Sequence, residues 1–296
     1  MTFSATDAAF EGFRIVRSNP MAVVFWAVAY ILFFAVFFAA FGGSLASLMA
    51  TTEGLEGTQP SQQDLAGLGQ AYIGFLGVAL PLGLILGAVL NAAVARAVLK
   101  PGDKRFGSLR LGGDELRVLA VSVTLAIVIG VAALVLFAVV AVAAGVAAQT
   151  SQGLAVIVGI LLGLASVVAL IWISIRLSLA VPLTVAEKRI APFASFALTR
   201  GKTLPLLGMA VIAGVMYILV SMLGTIIALP VTMATGGGMA QLAEFDGQST
   251  QQILQVAGPG LIAWGVVNAV FSALQLAVLQ APFSAAYRDL KGLARD

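Results

Sequence analysis

The chain has 296 residues, 60% of them hydrophobic and 10% charged, with a net charge of +3. A soluble domain carries about 25% charged residues, so this composition excludes a water-solvated globule and makes lipid the solvent. The absence of cysteine and histidine excludes disulfides, thiolate nucleophiles and zinc or haem ligation by those residues, and it removes the usual proton shuttle near neutral pH. No cofactor or metal is expected, and the basic charge is too sparse for nucleic acid.

The chain opens on an amphipathic stretch, Phe10-Glu-Gly-Phe13-Arg-Ile-Val-Arg17. Ser4 or Thr6 is its expected cap, and Asp7 and Glu11 suit its first turns, where the helix dipole favours anions. Asn19-Pro20 should break the chain before it enters the bilayer. The apolar run that follows, 21–42, is longer than the roughly 7–15 residues of a signal-peptide core, so a retained membrane helix is expected. A Gly/Gln/Ser-rich loop then carries Glu53, Glu56 and Asp64.

A membrane helix needs about 20 residues to cross the hydrocarbon core. Five further runs qualify: 72–99, 118–148, 154–175, 204–234 and 261–286. Pro81, Pro205, Pro230 and Pro282 are expected kinks or ends, because proline removes a backbone donor. Gly83 with Gly87 and Gly159 with Gly163 allow close helix approach, and packing within the chain is the expected use. Asn91, Arg96 and Lys100 end the second span. Gly112-Gly113-Asp114-Glu115 has the form of a helix cap before the third. Without a following lysine or a strand, it is a poor phosphate loop.

Arg176 follows the fourth span and lies eleven residues before Glu187, with Pro182 between them. The pair either lines a vestibule or is a snorkelling arginine with a helix-end ion pair, and the residues favour the second. The loop after the fifth span holds Gly236, Gly237, Gly238, Glu244 and Asp246. Tyr287 and Arg288, after the sixth, have the form of an interfacial anchor. No charged residue falls in the centre of a span, which disfavours a proton-coupled pump. Asn91, Ser221, Thr225, Asn268, Ser272 and Gln275 are expected to hydrogen-bond between helices.

All 16 basic residues fall before the first span, after the sixth, or in the connections two-to-three and four-to-five. The other three connections hold none. The positive-inside rule then places both termini in the cytoplasm of a bacterial inner membrane. Single cysteines test this: one at Thr58 should react with an impermeant reagent in intact cells, and one at Ser108 should not.

Phe10–Arg17, Phe106–Gly113 and Phe193–Arg200 share an aromatic, an apolar residue three later and a small or basic position four beyond. Spacings of three and four put these on one helical face. The expected fold is all-α: six transmembrane helices as three parallel hairpins, each preceded by an interfacial helix, in a single domain with repeats near 4–99, 100–175 and 188–290. Such helices would lay Phe and Leu in the acyl boundary and arginines among headgroups.

Arg176, Pro182, Glu187, Phe193, Phe196 and Thr199-Arg200-Gly201, with the 10–17 segment, resemble the membrane domain attached to some bacterial glycerophosphodiester phosphodiesterases and its stand-alone relatives. The resemblance implies a six-helix membrane unit beside a catalytic domain that this sequence has no room for, so no phosphodiesterase activity is carried over. The expected function is a non-catalytic organiser of lipid or recruiter of partners. The alternative is a transporter or channel for a neutral or amphiphilic molecule. Expected partners are membrane lipids, including anionic ones, and a protein partner or second copy. Arg17, Arg96, Arg176, Glu187, Arg200 and Arg288 are the candidate headgroup or rim contacts.

Overall fold

In lipid, an open chain satisfies its backbone hydrogen bonds only as helix. The computed structural model describes residues 3–54, 61–102, 105–234 and 249–293, and these are almost wholly helical. Two short helices, α1 (Ala5–Ala9) and α2 (Glu11–Ser18), precede the long α3 (Pro20–Gly54) and α4 (Gln62–Leu99). Next come α5 (Gly113–Ala148), α6 (Gln152–Leu177), the short α7 (Ala180–Glu187) and α8 (Ala194–Leu198), then α9 (Thr203–Ala234) and α10 (Thr250–Leu290). Among the described residues, six stretches are long and apolar enough to span a membrane: Pro20–Thr52, Leu65–Leu99, Phe106–Ala148, Gln152–Glu187, Thr203–Ala234 and Gly258–Leu290. Each contains one expected run. The chain is an integral membrane protein of the all-α class. Glu56, Thr58, Lys104, Glu244, Asp246, Arg295 and the three glycines at 236–238 lie outside the described residues.

Local chemistry accounts for the breaks. Ser4 caps α1, its hydroxyl accepting from the Asp7 amide at 3.3 Å. Asn19 closes α2, and Pro20 opens α3, where its missing donor has no cost. Ser178 and Leu179 separate α6 from α7, because Pro182 has no N–H for the carbonyl four residues back. Pro81, Pro230 and Pro282 lie inside helices that run on through them.

Burial concentrates at the end that carries the basic residues. There the start of α3, the end of α4, the α6–α7 junction, the start of α9 and the end of α10 meet in one core around Trp26, Leu90, Leu179, Leu206 and Met209. A smaller cluster joins α3 to α10 at the other end through Phe38, Leu45 and Ile253. The centre of the bundle is α10, which packs against α1, α2, α3, α4, α7 and α9. It does so with a stripe of alanines four residues apart: Ala269, Ala273, Ala277, Ala281 and Ala285 are all wholly buried. A methyl in every contact turn lets neighbouring backbones come close.

Two other helices behave differently. The pair α5 and α6 packs mainly on itself. Between Val121 and Ala147 in α5, and before Ile175 in α6, no described residue is buried, nor is any in α4 before Ala88.

The glycines expected to pack inside the chain do not. A Cβ added at Gly83, Gly87 or Gly163 would meet nothing within 4 Å, and one at Gly159 only Ala144 at 3.9 Å. Close approach occurs instead at Gly12, where a Cβ would stand 2.6 Å from the Ala277 oxygen, and at Gly107 and Gly224.

Candidate functional site: a charged layer and a polar groove

The basic end is a layer of ion pairs. Arg96, near the end of α4, is 2% exposed. Its Nε and Nη2 donate to the Ser108 carbonyl at 3.1 and 2.8 Å. Nη2 also pairs with Glu115 Oε1, and Nη1 stands 4.0 Å from Asp114. Glu115 in turn accepts from the Gly112 amide at 2.9 Å, which confirms the expected cap, and Asp114 pairs with Arg117 at 2.7 Å. Arg96 is therefore an internal strut between α4 and the start of α5.

The loop it holds departs from the expected helix. Phe106, Gly107 and Ser108 have φ of 48°, 61° and 60°, a left-handed turn that costs non-glycine residues energy. Trp26 Nε1 fixes it by donating to the Gly107 carbonyl at 2.9 Å, and Phe106 meets the Phe25 ring edge-on. Helical spacing in the sequence could not reveal this, because the clamp comes from residues about 10 and 80 positions away. Ser108 is also buried, so a cysteine there would stay unreactive on either side of the membrane and cannot serve as the topology control.

The second group centres on Glu11, 5% exposed. Its Oε1 accepts from Arg288 Nη1 at 3.0 Å, and its Oε2 pairs with Arg14. Arg14 also reaches Asp7 at 2.8 Å. That bond, aided by Glu11 against the cost of burial, pushes its guanidinium above the ordinary value. Arg288 is 7% exposed and Tyr287 2%, so neither is the interfacial anchor expected. The end of α10 is ringed by other helices, and it turns these residues inward.

The third group holds Glu187, whose Oε1 accepts from Tyr287 Oη at 3.2 Å and Lys291 Nζ at 3.0 Å. Arg189 Nε reaches its other oxygen at 2.6 Å. Arg176 does not join it. Its guanidinium carbon lies 5.5 and 5.1 Å from the Trp172 and Phe196 ring centres, a cation–π arrangement, and Ser195 and Thr199 donate to its carbonyl at 2.7 and 3.3 Å. The α6–α7 break separates the two residues that an unbroken helix would align. Arg17 and Arg200 are exposed.

Within the spans, α9 and α10 enclose a groove of about 260 Å³ lined by Ser221, Thr225, Trp264, Asn268, Phe271 and Gln275. These polar residues were expected to bond across helices. Instead, Thr225 donates to the Ser221 carbonyl at 3.1 Å and Asn268 to the Trp264 carbonyl at 3.0 Å, each within its own helix. The side-chain amide oxygen of Asn91, Oδ1, is buried with no hydrogen-bond partner among the described residues. Among the described residues, no three acidic groups are placed to hold a metal.

Comparison with known proteins finds no matching family model, no matching curated protein and no matching solved structure.

Proposed function

We propose that this chain is a non-catalytic protein that binds and organises membrane lipid and recruits a partner at its basic face. The observation that carries this is the surface of α5, α6 and the first half of α4, where span-length apolar stretches hold almost no buried position among the described residues. Lipid is the solvent for that surface, and a second copy is the natural partner for the open glycines of α4. Among the described residues, the carboxylates of the basic end, Asp7, Glu11, Asp114, Glu115, Glu187 and Asp289, each stand in an ion pair, which supports a non-catalytic role.

In this reading the basic face lies in the cytoplasm of a bacterial inner membrane, with six spans grouped as three hairpins. Each hairpin is introduced by an interfacial segment. Phe10, Phe106 and Phe193 support it, being 39%, 68% and 57% exposed at matching places in the three segments. The likeness to the membrane domain of the phosphodiesterases fits the same picture.

Two measurements test it. Purified with native lipid, the chain should retain lipid enriched in anionic headgroups over the bulk membrane; bulk composition would sink the lipid reading. For topology, Ser61→Cys and Lys202→Cys both sit at exposed positions. The first should react with an impermeant maleimide in intact cells, the second only after permeabilisation. The reverse pattern would invert the protein.

One observation favours a second reading, transport of a neutral or amphiphilic molecule: the polar groove between α9 and α10. Reconstituted vesicles should then show flux that Asn268→Leu abolishes. No flux across a broad panel of such molecules removes this alternative.

A further inference from the structure

Carboxylates inside the chain take up Arg96 and Arg288. Arg176 is different. Among the described residues its guanidinium has no ion pair and no hydrogen-bond partner. Nε is shut in, whereas Nη1 and Nη2 stay accessible at the surface of a half-buried residue.

What holds this side chain is aromatic. Its guanidinium carbon lies 5.5 Å from the Trp172 ring centre and 5.1 Å from that of Phe196, and the two rings meet edge-on at 6.4 Å. Ser195 and Thr199 fasten the α8 segment to the same residue by donating to its carbonyl. A snorkelling arginine needs neither device. A guanidinium stacked on rings keeps its planar N–H fork free and fixed in direction, so it meets an anion with little rotamer entropy left to lose.

The surrounding charge favours an anion. The helices α6, α8 and α9 meet here, and none of them contains an aspartate or glutamate. From α7, Glu187 is held by Arg189, Lys291 and Tyr287. From α5, Asp114 and Glu115 are paired with Arg117 and Arg96. Arg200 directly follows the Thr199 that touches Arg176, and both Arg200 and Lys202 are exposed.

An apolar row of α6 ends on this cation. Ile160, Leu164, Val168 and Trp172 are all exposed and stand four residues apart, one above another on the helix. Arg176 is the next member of that row. From Leu164 to Arg176 the row rises about 18 Å, enough to cover the roughly 15 Å of one leaflet's hydrocarbon.

We infer that Arg176 is the headgroup contact of a bound anionic phospholipid. The phosphate accepts hydrogen bonds from Nη1 and Nη2, and an acyl chain lies along the row from Leu164 to Trp172. The inference rests on the lipid-binding reading and fixes it at one residue. Free phosphate would satisfy the cation alone, whereas a phospholipid also uses the apolar row.

The test uses the full chain in detergent. Its melting temperature is titrated with short-chain phosphatidylglycerol, with the matching diacylglycerol and with inorganic phosphate. Arg176→Gln removes the fork. Trp172→Leu keeps the charge and an apolar side chain but takes away one ring. Lys100→Gln removes an exposed cation elsewhere at the basic end. The phospholipid should stabilise the chain, and the other two should not at equal concentration. Its apparent affinity should fall about tenfold in Arg176→Gln and about threefold in Trp172→Leu, and hold in Lys100→Gln. If Arg176→Gln does not fold, Trp172→Leu decides. Parent-like affinity in Arg176→Gln overturns the site, and so does an equal loss in Lys100→Gln, which would make the attraction one of bulk charge. Equal stabilisation by diacylglycerol or by inorganic phosphate overturns it as well. In each of these cases a response of the parent to phospholipid leaves the broader lipid reading standing. No response of the parent to phospholipid overturns both.

Discussion

Arg96→Met is expected to destabilise the chain by about 3–5 kcal/mol, the cost of leaving a buried partner charge unpaired. Glu115 is 5% exposed, so it cannot turn to water when its guanidinium is removed, and the Ser108 carbonyl loses two donors at once. The double variant Arg96→Met with Glu115→Leu should recover much of this loss, because replacing a whole buried pair with apolar groups is often nearly neutral. Thermal unfolding of the two single variants and the double in one detergent gives the coupling directly. Additive losses would mean that the pair is not the strut described above. A loss below about 1 kcal/mol would place Arg96 in water, where exposed pairs have that size.

Gly12→Ala is the second large effect, and its sign is the informative part. In a helix, alanine is favoured over glycine by about 1 kcal/mol, so propensity alone predicts a gain. The added methyl would stand 2.6 Å from both the Ala277 oxygen and the Val278 Cα. Both belong to the backbone of the central helix, which yields far less than a side chain. Overpacking of this kind costs about 1–3 kcal/mol, and the net change should be a lower melting temperature with less monodisperse protein. Gly208→Ala is the matched control. It lies in α9 with nothing within 4 Å of a Cβ, so it should hold or raise the melting temperature. If both variants respond alike, α2 is not docked on α10.

The spans were legible because membrane helices are written in composition. About 20 apolar residues in a row are needed to cross the core, and each of the six runs falls inside a span-length helix. The helix breaks at Asn19-Pro20 and near Pro182 were legible for a local reason, since proline acts on its own neighbourhood. Whatever depends on a distant partner was not legible. The Phe106–Gly113 segment matches helical spacing as well as its two counterparts do, but Trp26 and Arg96 hold it in a left-handed turn. Arg288 was legible as a terminal cation, but its burial follows from the helices that surround α10. One signal was present and unused. Alanine every fourth residue from Ala269 to Ala285 marks the face of the central helix, whereas the Gly83–Gly87 and Gly159–Gly163 spacings mark no close contact inside the chain.

The way α5 and α6 join the rest has a mechanical meaning. Their burial is almost confined to Glu115, Val118, Val121, Ile175 and Leu177, at the basic end. A beam clamped at one end bends most at the other, and its shape there follows the load around it. For this pair the load is the lateral pressure and thickness of the surrounding bilayer. Among the described residues, the distant tip of the pair has almost no buried contact to hold it against that load. The Arg96–Glu115 ion pair is what ties the opposite end to α4.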